Sequence, residues 1–123
     1  MPHSNSWEEK GLCRIFTDKV SAEEVLKSNL SLHGDKRFDS IKYVINDFTR
    51  ITDFEISDRG ISTIVAVDNA AAITNPNIKI AIVSTYEEFL SWVELYVESM
   101  KGTPLECQIF ADIDSAYRWV SEE

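Results

Sequence analysis

The segment Ile41–Ser84, "IKYVINDFTRITDFEISDRGISTIVAVDNAAAITNPNIKIAIVS", decides the fold. It opens with an apolar run at Tyr43–Ile45 and closes with a second run at Ile80–Val83, and both are typical of strands buried on two faces. Between them, the spacing of Ile61 and Ile64 predicts an amphipathic helix. A strand, a helix and a strand in this order predict two parallel strands joined by a helical crossover.

The same alternation extends to both ends of the chain. Two short extended runs, roughly Trp7–Lys10 and Leu12–Thr17, predict an N-terminal hairpin, and a capping box at Ser21 and Glu24 predicts the first helix. An apolar stripe over 86–100 predicts a third helix, and "ECQIFAD" and "IDSAYRWVSE" predict a last strand and helix. We therefore expect an α/β fold with a mixed, mostly parallel sheet, an N-terminal hairpin and about four helices.

Length and composition favour one domain without export or membrane signals. The chain has 123 residues and no linker or repeat, so we expect a loose tail over 1–6 and one domain over 7–123. Cys13 and Cys107 lie in predicted strands and are expected to be buried, reduced thiols of a cytoplasmic protein. The start of the chain has no apolar leader core, and no segment reaches the ~18 apolar residues of a membrane span.

The charge balance argues against nucleic acid as a partner. The chain carries 21 acidic and 12 basic residues, a net charge of −9. Such a surface repels phosphate backbones. We therefore expect that nucleic acid is not a partner.

Residues that would support catalysis or a cofactor are sparse. The four glycines are scattered, so no phosphate loop is predicted, and His3 and His33 lie in the predicted tail and in a loop. An acid–base pair of Asp47 and Asp53 would require the fold to bring them together, and capping roles are the alternative. We expect no catalytic residue, no metal and no cofactor.

Polar residues collect where the first central strand leads into the second helix. In open α/β sheets, ligands bind at the carboxyl ends of the strands, beside the free amides of helix N-termini. Asp47, Thr49, Ser57, Asp58 and Gly60 occupy this stretch and form our candidate regulatory or partner surface. Ser57 has two interpretations: an N-cap, which we favour, or a regulatory phosphate acceptor.

The third predicted helix raises a second candidate site. Thr85 and Glu88 resemble a capping box at its start. Its stripe includes Phe89, Trp92 and Tyr96, which either belong to the core or line an apolar pocket against the sheet. Two further tryptophans near the chain ends, Trp7 and Trp119, either cover sheet edges or contribute to a homodimer contact.

Three segments resemble a known family: "RFDSIKYVINDFTRIT" (37–52), "NPNIKIAIVST" (75–85) and "CQIFADIDSAYRWV" (107–120). They are similar to the small bacterial SpoIIAA-like, or STAS-like, proteins, and the resemblance spans about 7–120. In the anti-sigma factor antagonist branch, a strand ending in Asp-Leu-Ser leads to an Asp-Ser-Ser-Gly element whose serine is phosphorylated. Here Asp47–Thr49 and Ser57–Gly60 take these places, but Ile56 stands where an acid would precede the serine.

The resemblance implies a single STAS-like domain acting as a non-enzymatic regulatory or protein-interaction module. Lipid carriers of the CRAL-TRIO type share this general architecture. The alternative is therefore a carrier of a small apolar or lipid-like ligand, held in a pocket between helix 86–100 and the sheet.

Overall fold

The computed structural model describes residues 3–122, which form one five-stranded sheet and four α-helices. The strands are β1 (His3–Trp7), β2 (Gly11–Ser21), β3 (Tyr43–Glu55), β4 (Lys79–Val83) and β5 (Glu106–Phe110). The helices are α1 (Ala22–His33), α2 (Asp58–Ala71), α3 (Glu87–Met100) and α4 (Ile113–Val120), with a short 3₁₀ helix at Lys36–Asp39. This is the α/β fold that the alternation predicts.

The sheet has the strand order β1-β2-β3-β4-β5, with β1 antiparallel to β2 and the other pairs parallel. The prediction that decides the fold is confirmed, because β3 and β4 run side by side in the same direction, from Tyr43 beside Lys79 to Asp47 beside Val83. The mixed, mostly parallel sheet with an N-terminal hairpin is therefore as expected.

The start of the chain differs from its prediction. Residues 3–6 were expected in a loose tail, yet they form most of β1 and pair with Cys13–Phe16 of β2. The tail prediction is wrong for these residues because their polar side chains gave no apolar alternation, although an edge strand can be largely polar. Met1 and Pro2 of that predicted tail lie outside the described residues.

Three helices begin at side-chain caps. Ser21 accepts a hydrogen bond from the Glu24 amide at 3.2 Å, and Asp112 accepts one from the Ser115 amide at 2.8 Å. Ser57 caps α2 as predicted. The capping box predicted at Thr85 is wrong: α3 starts after Tyr86 and has no side-chain cap.

Both faces of the sheet are covered. On one face, α1, α2 and α3 pack over apolar residues that include Phe16, Val44 and Ile82. On the other, α4 packs with Ala116 and Val120 against a smaller set. Two-sided coverage explains why β3 and β4 begin as nearly unbroken apolar runs.

Candidate functional site

The long strands β2 and β3 carry α1 and α2 away from the centre of the sheet. β2 has 11 residues and β3 has 13, whereas β4 and β5 have five each. The starts of α1 and α2 then lie in close contact, because a Cβ atom added at Gly60 would lie 2.7 Å from the Cβ of Ala22. Gly60 therefore permits a helix–helix approach that a side chain would obstruct.

An open depression of about 740 Å³ lies where these helices begin, and we call it the α1–α2 groove. Its walls combine the ends of β2 and β3 with the first two turns of both helices. The lining residues are Lys19, Ser21, Ala22, Glu23, Glu24, Leu26, Glu55, Ile56, Ser57, Arg59, Gly60 and Thr63. The groove lies at the carboxyl ends of β2 and β3, which is the end of the strands at which ligands bind in open α/β sheets.

The groove has charges of both signs. Two helix N-termini contribute partial positive charge and free backbone amides, and Lys19 and Arg59 add cationic side chains. Glu23 and Glu55 oppose them, and an exposed ion pair joins Lys19 to Glu55 at 3.4 Å. Such exposed pairs hold side chains weakly, within about 1 kcal/mol, so these groups can exchange partners.

Ser57 and Gly60 lie together in this groove. The Ser57 Oγ accepts a hydrogen bond from the Gly60 amide at 3.0 Å, and Asp58 lies in the first turn of α2. The Ser57 hydroxyl and the Asp58 carboxylate both interact favourably with the positive end of α2. Three of the five predicted surface residues are therefore close together.

Asp47 and Thr49 are placed elsewhere. Asp47 is buried within β3, where its Oδ1 accepts a hydrogen bond from the Thr49 amide at 2.9 Å. Strand residues 50–55 separate them from the start of α2, so the sequence motif does not fold into one compact site. Asp53 accepts from the amide of Phe54 at 2.8 Å, and both aspartates thus bind local backbone amides.

The predicted apolar pocket is a narrow cleft. Phe89, Trp92 and Tyr96 do line it together, but its volume is about 60 Å³. A space of this size holds only a few water molecules. A lipid chain does not fit this space, and the structure gives the carrier alternative no support.

The floor of this cleft belongs to a buried polar network that the sequence analysis missed. Arg14 is 2% exposed, and its guanidinium donates to Asn46 Oδ1 at 2.9 Å, Ser28 Oγ at 2.5 Å and Asn29 Oδ1 at 2.7 Å. Asn29 Nδ2 in turn donates to the Asp68 carboxylate at 3.0 Å. The network thus connects β2, β3, α1 and α2.

Asp68 is the anionic end of the network. The Tyr96 hydroxyl donates to its Oδ2 at 2.6 Å, which joins α3 to the same cluster. Burial raises the pKa of Asp68, although the hydrogen bond from Tyr96 and the charge of Arg14 act in the opposite direction. Burial also lowers the pKa of Arg14 to about 10, so the guanidinium stays charged at neutral pH.

His33 adjoins the network instead of lying in a surface loop. Its Nε2 lies 3.7 Å from Asp68 Oδ1, which is beyond hydrogen-bonding distance. Burial, and then the charge of Arg14, lower the pKa of His33 to about 4. His33 is therefore neutral at pH 7.

Two signals in the sequence could have revealed the network. Arg14 shares strand parity with Leu12 and Phe16, which places it on the same buried face of β2. Asp68 lies at helical spacing from Ile61 and Ile64, on the buried stripe of α2. A charged residue at a buried position needs a partner, and here the two charges lie in one network.

The two cysteines lie on opposite faces of the sheet. Cys13 packs beneath α4, whereas Cys107 packs on the side of α1–α3. Burial raises the pKa of both thiols, that of Cys107 to about 12. Neither is a reactive thiolate at neutral pH.

Residues 3–122 contain neither a metal-binding cluster nor a membrane-spanning helix. No three side chains of His, Cys, Asp or Glu lie close enough together to hold a metal ion. None of the helices in this range is long and apolar enough to cross a membrane.

No protein-family model matches the sequence, and no curated protein matches it significantly. Among solved structures, the chain is similar to an uncharacterized protein of the DUF3478 family from Shewanella loihica PV-4, which has a SpoIIAA-like fold. The two share 16% sequence identity with a TM-score of 0.52, over 96% of this chain and 91% of that one. At this identity the likeness concerns the fold alone, and the chain described here has a SpoIIAA-like fold.

Proposed function

We propose that this chain is a non-enzymatic regulatory or protein-interaction module whose protein partner binds in the α1–α2 groove. The observation that carries the proposal is the contact of two helix N-termini at Gly60 and Ala22. Each N-terminus presents backbone amides that its own helix does not use, and here both sets open onto one surface. A partner that supplies carboxylate or carbonyl oxygens could bind both at once.

The groove suits a protein better than a small ligand or a nucleic acid. It is broad and open, and its apolar residues Leu26 and Ile56 lie among charges of both signs. Protein surfaces offer matching apolar and polar groups, whereas the net charge of −9 disfavours a phosphate backbone.

In this proposal Ser57 acts as the N-cap of α2 and not as a phosphorylation site. A phosphate on Ser57 would benefit from the helix N-terminus, but Glu55 and Asp58 would repel its charge. We therefore propose that partner binding needs no phosphate. Incubation with ATP and a lysate of the source cells, followed by intact-mass measurement, should leave the chain unmodified; stoichiometric phosphate on Ser57 would argue for the switch.

Site-specific photo-crosslinking tests the groove. A photo-reactive residue at Thr63 should capture a defined partner in cells, because Thr63 lines the groove. The same residue at Ser99, exposed on α3, is the matched control. Arg59→Glu should abolish capture at Thr63, since it reverses a cationic groove residue without touching the core.

Two outcomes would contradict the groove assignment. One is an identical set of captured proteins from Thr63 and Ser99, which indicates random collision. The other is capture at Thr63 that persists in the Arg59→Glu variant.

A further inference from the structure

β3 has an open edge beside the centre of the sheet. β4 pairs only with Tyr43–Asp47, so residues 48–55 have β2 on one side and no strand on the other. Outside the strand ladders, no backbone group of residues 3–122 hydrogen-bonds to this segment. We call residues 48–55 the open edge of β3.

An open edge exposes backbone donors and acceptors that can pair with another strand. Two of its backbone amides already donate to side chains: the Thr49 amide donates to the Asp47 carboxylate, and the Phe54 amide donates to the Asp53 carboxylate. Apart from these contacts and the end of the β4 ladder, the backbone groups that point away from β2 have no hydrogen-bond partner among residues 3–122. This surface consists of backbone groups and shares only Glu55 with the α1–α2 groove, so the inference does not depend on the proposed function.

Irregular pairing places two opposite charges on the same face of this edge. The register with β2 shifts twice, so that Arg50 lies beside Thr17 and Asp53 beside Lys19. Thr17 and Lys19 are two residues apart on β2, and alternate strand residues point to the same side. Arg50 and Asp53 therefore share one face, whereas a regular strand would have separated them.

Both charged groups can form an ion pair with a second chain, because the Phe54 amide uses only one carboxylate oxygen of Asp53. Arg50 and Asp53 are exposed, and neither takes part in an ion pair among the described residues. Arg50 and Asp53 lie on either side of Ile51 and Thr52. A two-fold rotation about an axis between Ile51 and Thr52 therefore places a positive charge opposite a negative one.

We propose that the open edge of β3 pairs antiparallel with the same edge of a second copy of this chain. With the two-fold axis between Ile51 and Thr52, Arg50 of each copy lies opposite Asp53 of the other. A two-fold interface repeats every contact, so the dimer has two such cross-strand pairs. The two sheets then form one continuous sheet.

The charges also select the register. A two-fold axis at residue 50 would place two arginines together, and an axis at residue 53 would place two aspartates together. Like charges directly opposite each other destabilise a strand pair. The same residues that shield the edge from unrelated strands thus leave one favourable register for a second copy.

Sedimentation equilibrium of the full chain tests the dimer. Wild-type protein should show a concentration-dependent dimer at physiological salt. Arg50→Asp should weaken the dimer by tenfold or more, because it places two like charges at both cross-strand contacts. Arg118→Asp on α4 is the matched control, since it changes net charge equally at an exposed residue elsewhere and should leave association unchanged.

The charge swap separates the interface from misfolding. The double variant Arg50→Asp/Asp53→Arg restores opposite charges and should restore the dimer. Amide hydrogen exchange should show protection of residues 48–55 that increases with protein concentration. A monomeric wild type up to millimolar concentration, a dimer insensitive to Arg50→Asp, no rescue in the swap, or protection elsewhere would each overturn the proposal.

Discussion

Arg14 and Asp68 show how single residues can fix the arrangement of several elements. Their charges are not in direct contact but are connected through Asn29, which accepts from one and donates to the other. Buried ionic groups cost desolvation energy, so such a network contributes little net stability beyond an apolar core. Removing one member is costly, however, because the remaining polar groups stay buried without partners.

Arg14→Met should therefore destabilise the fold by about 3–5 kcal/mol, the range for breaking a buried charge pair. The substitution leaves the Asp68 carboxylate without its cation, and it leaves the Asn29 Oδ1 without the guanidinium that donates to it. Urea denaturation gives the free energy of unfolding. Arg118→Met on the exposed side of α4 is the control and should stay within about 0.5 kcal/mol of wild type. An equal effect of both substitutions would contradict the role of the network.

His33 should make stability fall with acidification. Its pKa is lowered to about 4 in the folded chain from the ordinary value of 6.5. Between pH 4 and pH 6.5, His33 is protonated in the unfolded chain but neutral in the folded chain. The free energy of unfolding therefore rises with pH across this window and decreases as the pH falls through it. His33→Gln should have a shallower dependence, measured by urea denaturation across pH 4 to 6.5, whereas Lys36→Gln should follow wild type. Parallel curves for His33→Gln and wild type would contradict this assignment.

At the scale of elements, β3 shows why boundaries were harder to predict than element types. The polar residues from Asp47 onward predict a connection between the first central strand and the second helix, but β3 continues to Glu55. Its inward residues Phe48, Ile51 and Phe54 are three apart, because the register with β2 shifts twice. A search for period-two alternation cannot detect a strand with bulges.

The contact between α1 and α2 gives a prediction about two glycines. Gly60→Ala should destabilise the fold by about 1–3 kcal/mol, because its Cβ would overlap the Cβ of Ala22. Gly34→Ala is the matched control: its Cβ would lie 3.6 Å from the Leu30 carbonyl oxygen, an ordinary contact, in right-handed helical backbone. It should stabilise by about 0.4–1 kcal/mol. Thermal and urea denaturation measure both, and equal responses would show that the close approach is unimportant.

At the scale of the molecule, the fold was predictable and the candidate site only in part. Apolar alternation reports which segments are buried, and it predicts that β3 and β4 are neighbouring parallel strands, which the structure confirms. The Ser57 cap is a local feature and was also visible in the sequence. The groove was not, because it depends on the length of β2 and β3 and on the approach of Gly60 to Ala22, which are properties of three-dimensional packing.

The placement of the cysteines on opposite faces of the sheet makes them separate probes of its two layers. Cys13 is buried, so a thiol-specific reagent reaches it only when α4 moves away, whereas Cys107 is partly exposed and the layer of α1–α3 shields only part of it. The modification rate of Cys13 under native conditions therefore reports the opening of the α4 layer, and an increase in the rate of Cys107 above its native value reports the opening of the opposite layer. The two native thiols can therefore show, without an engineered label, whether the two helical layers open together or one after the other.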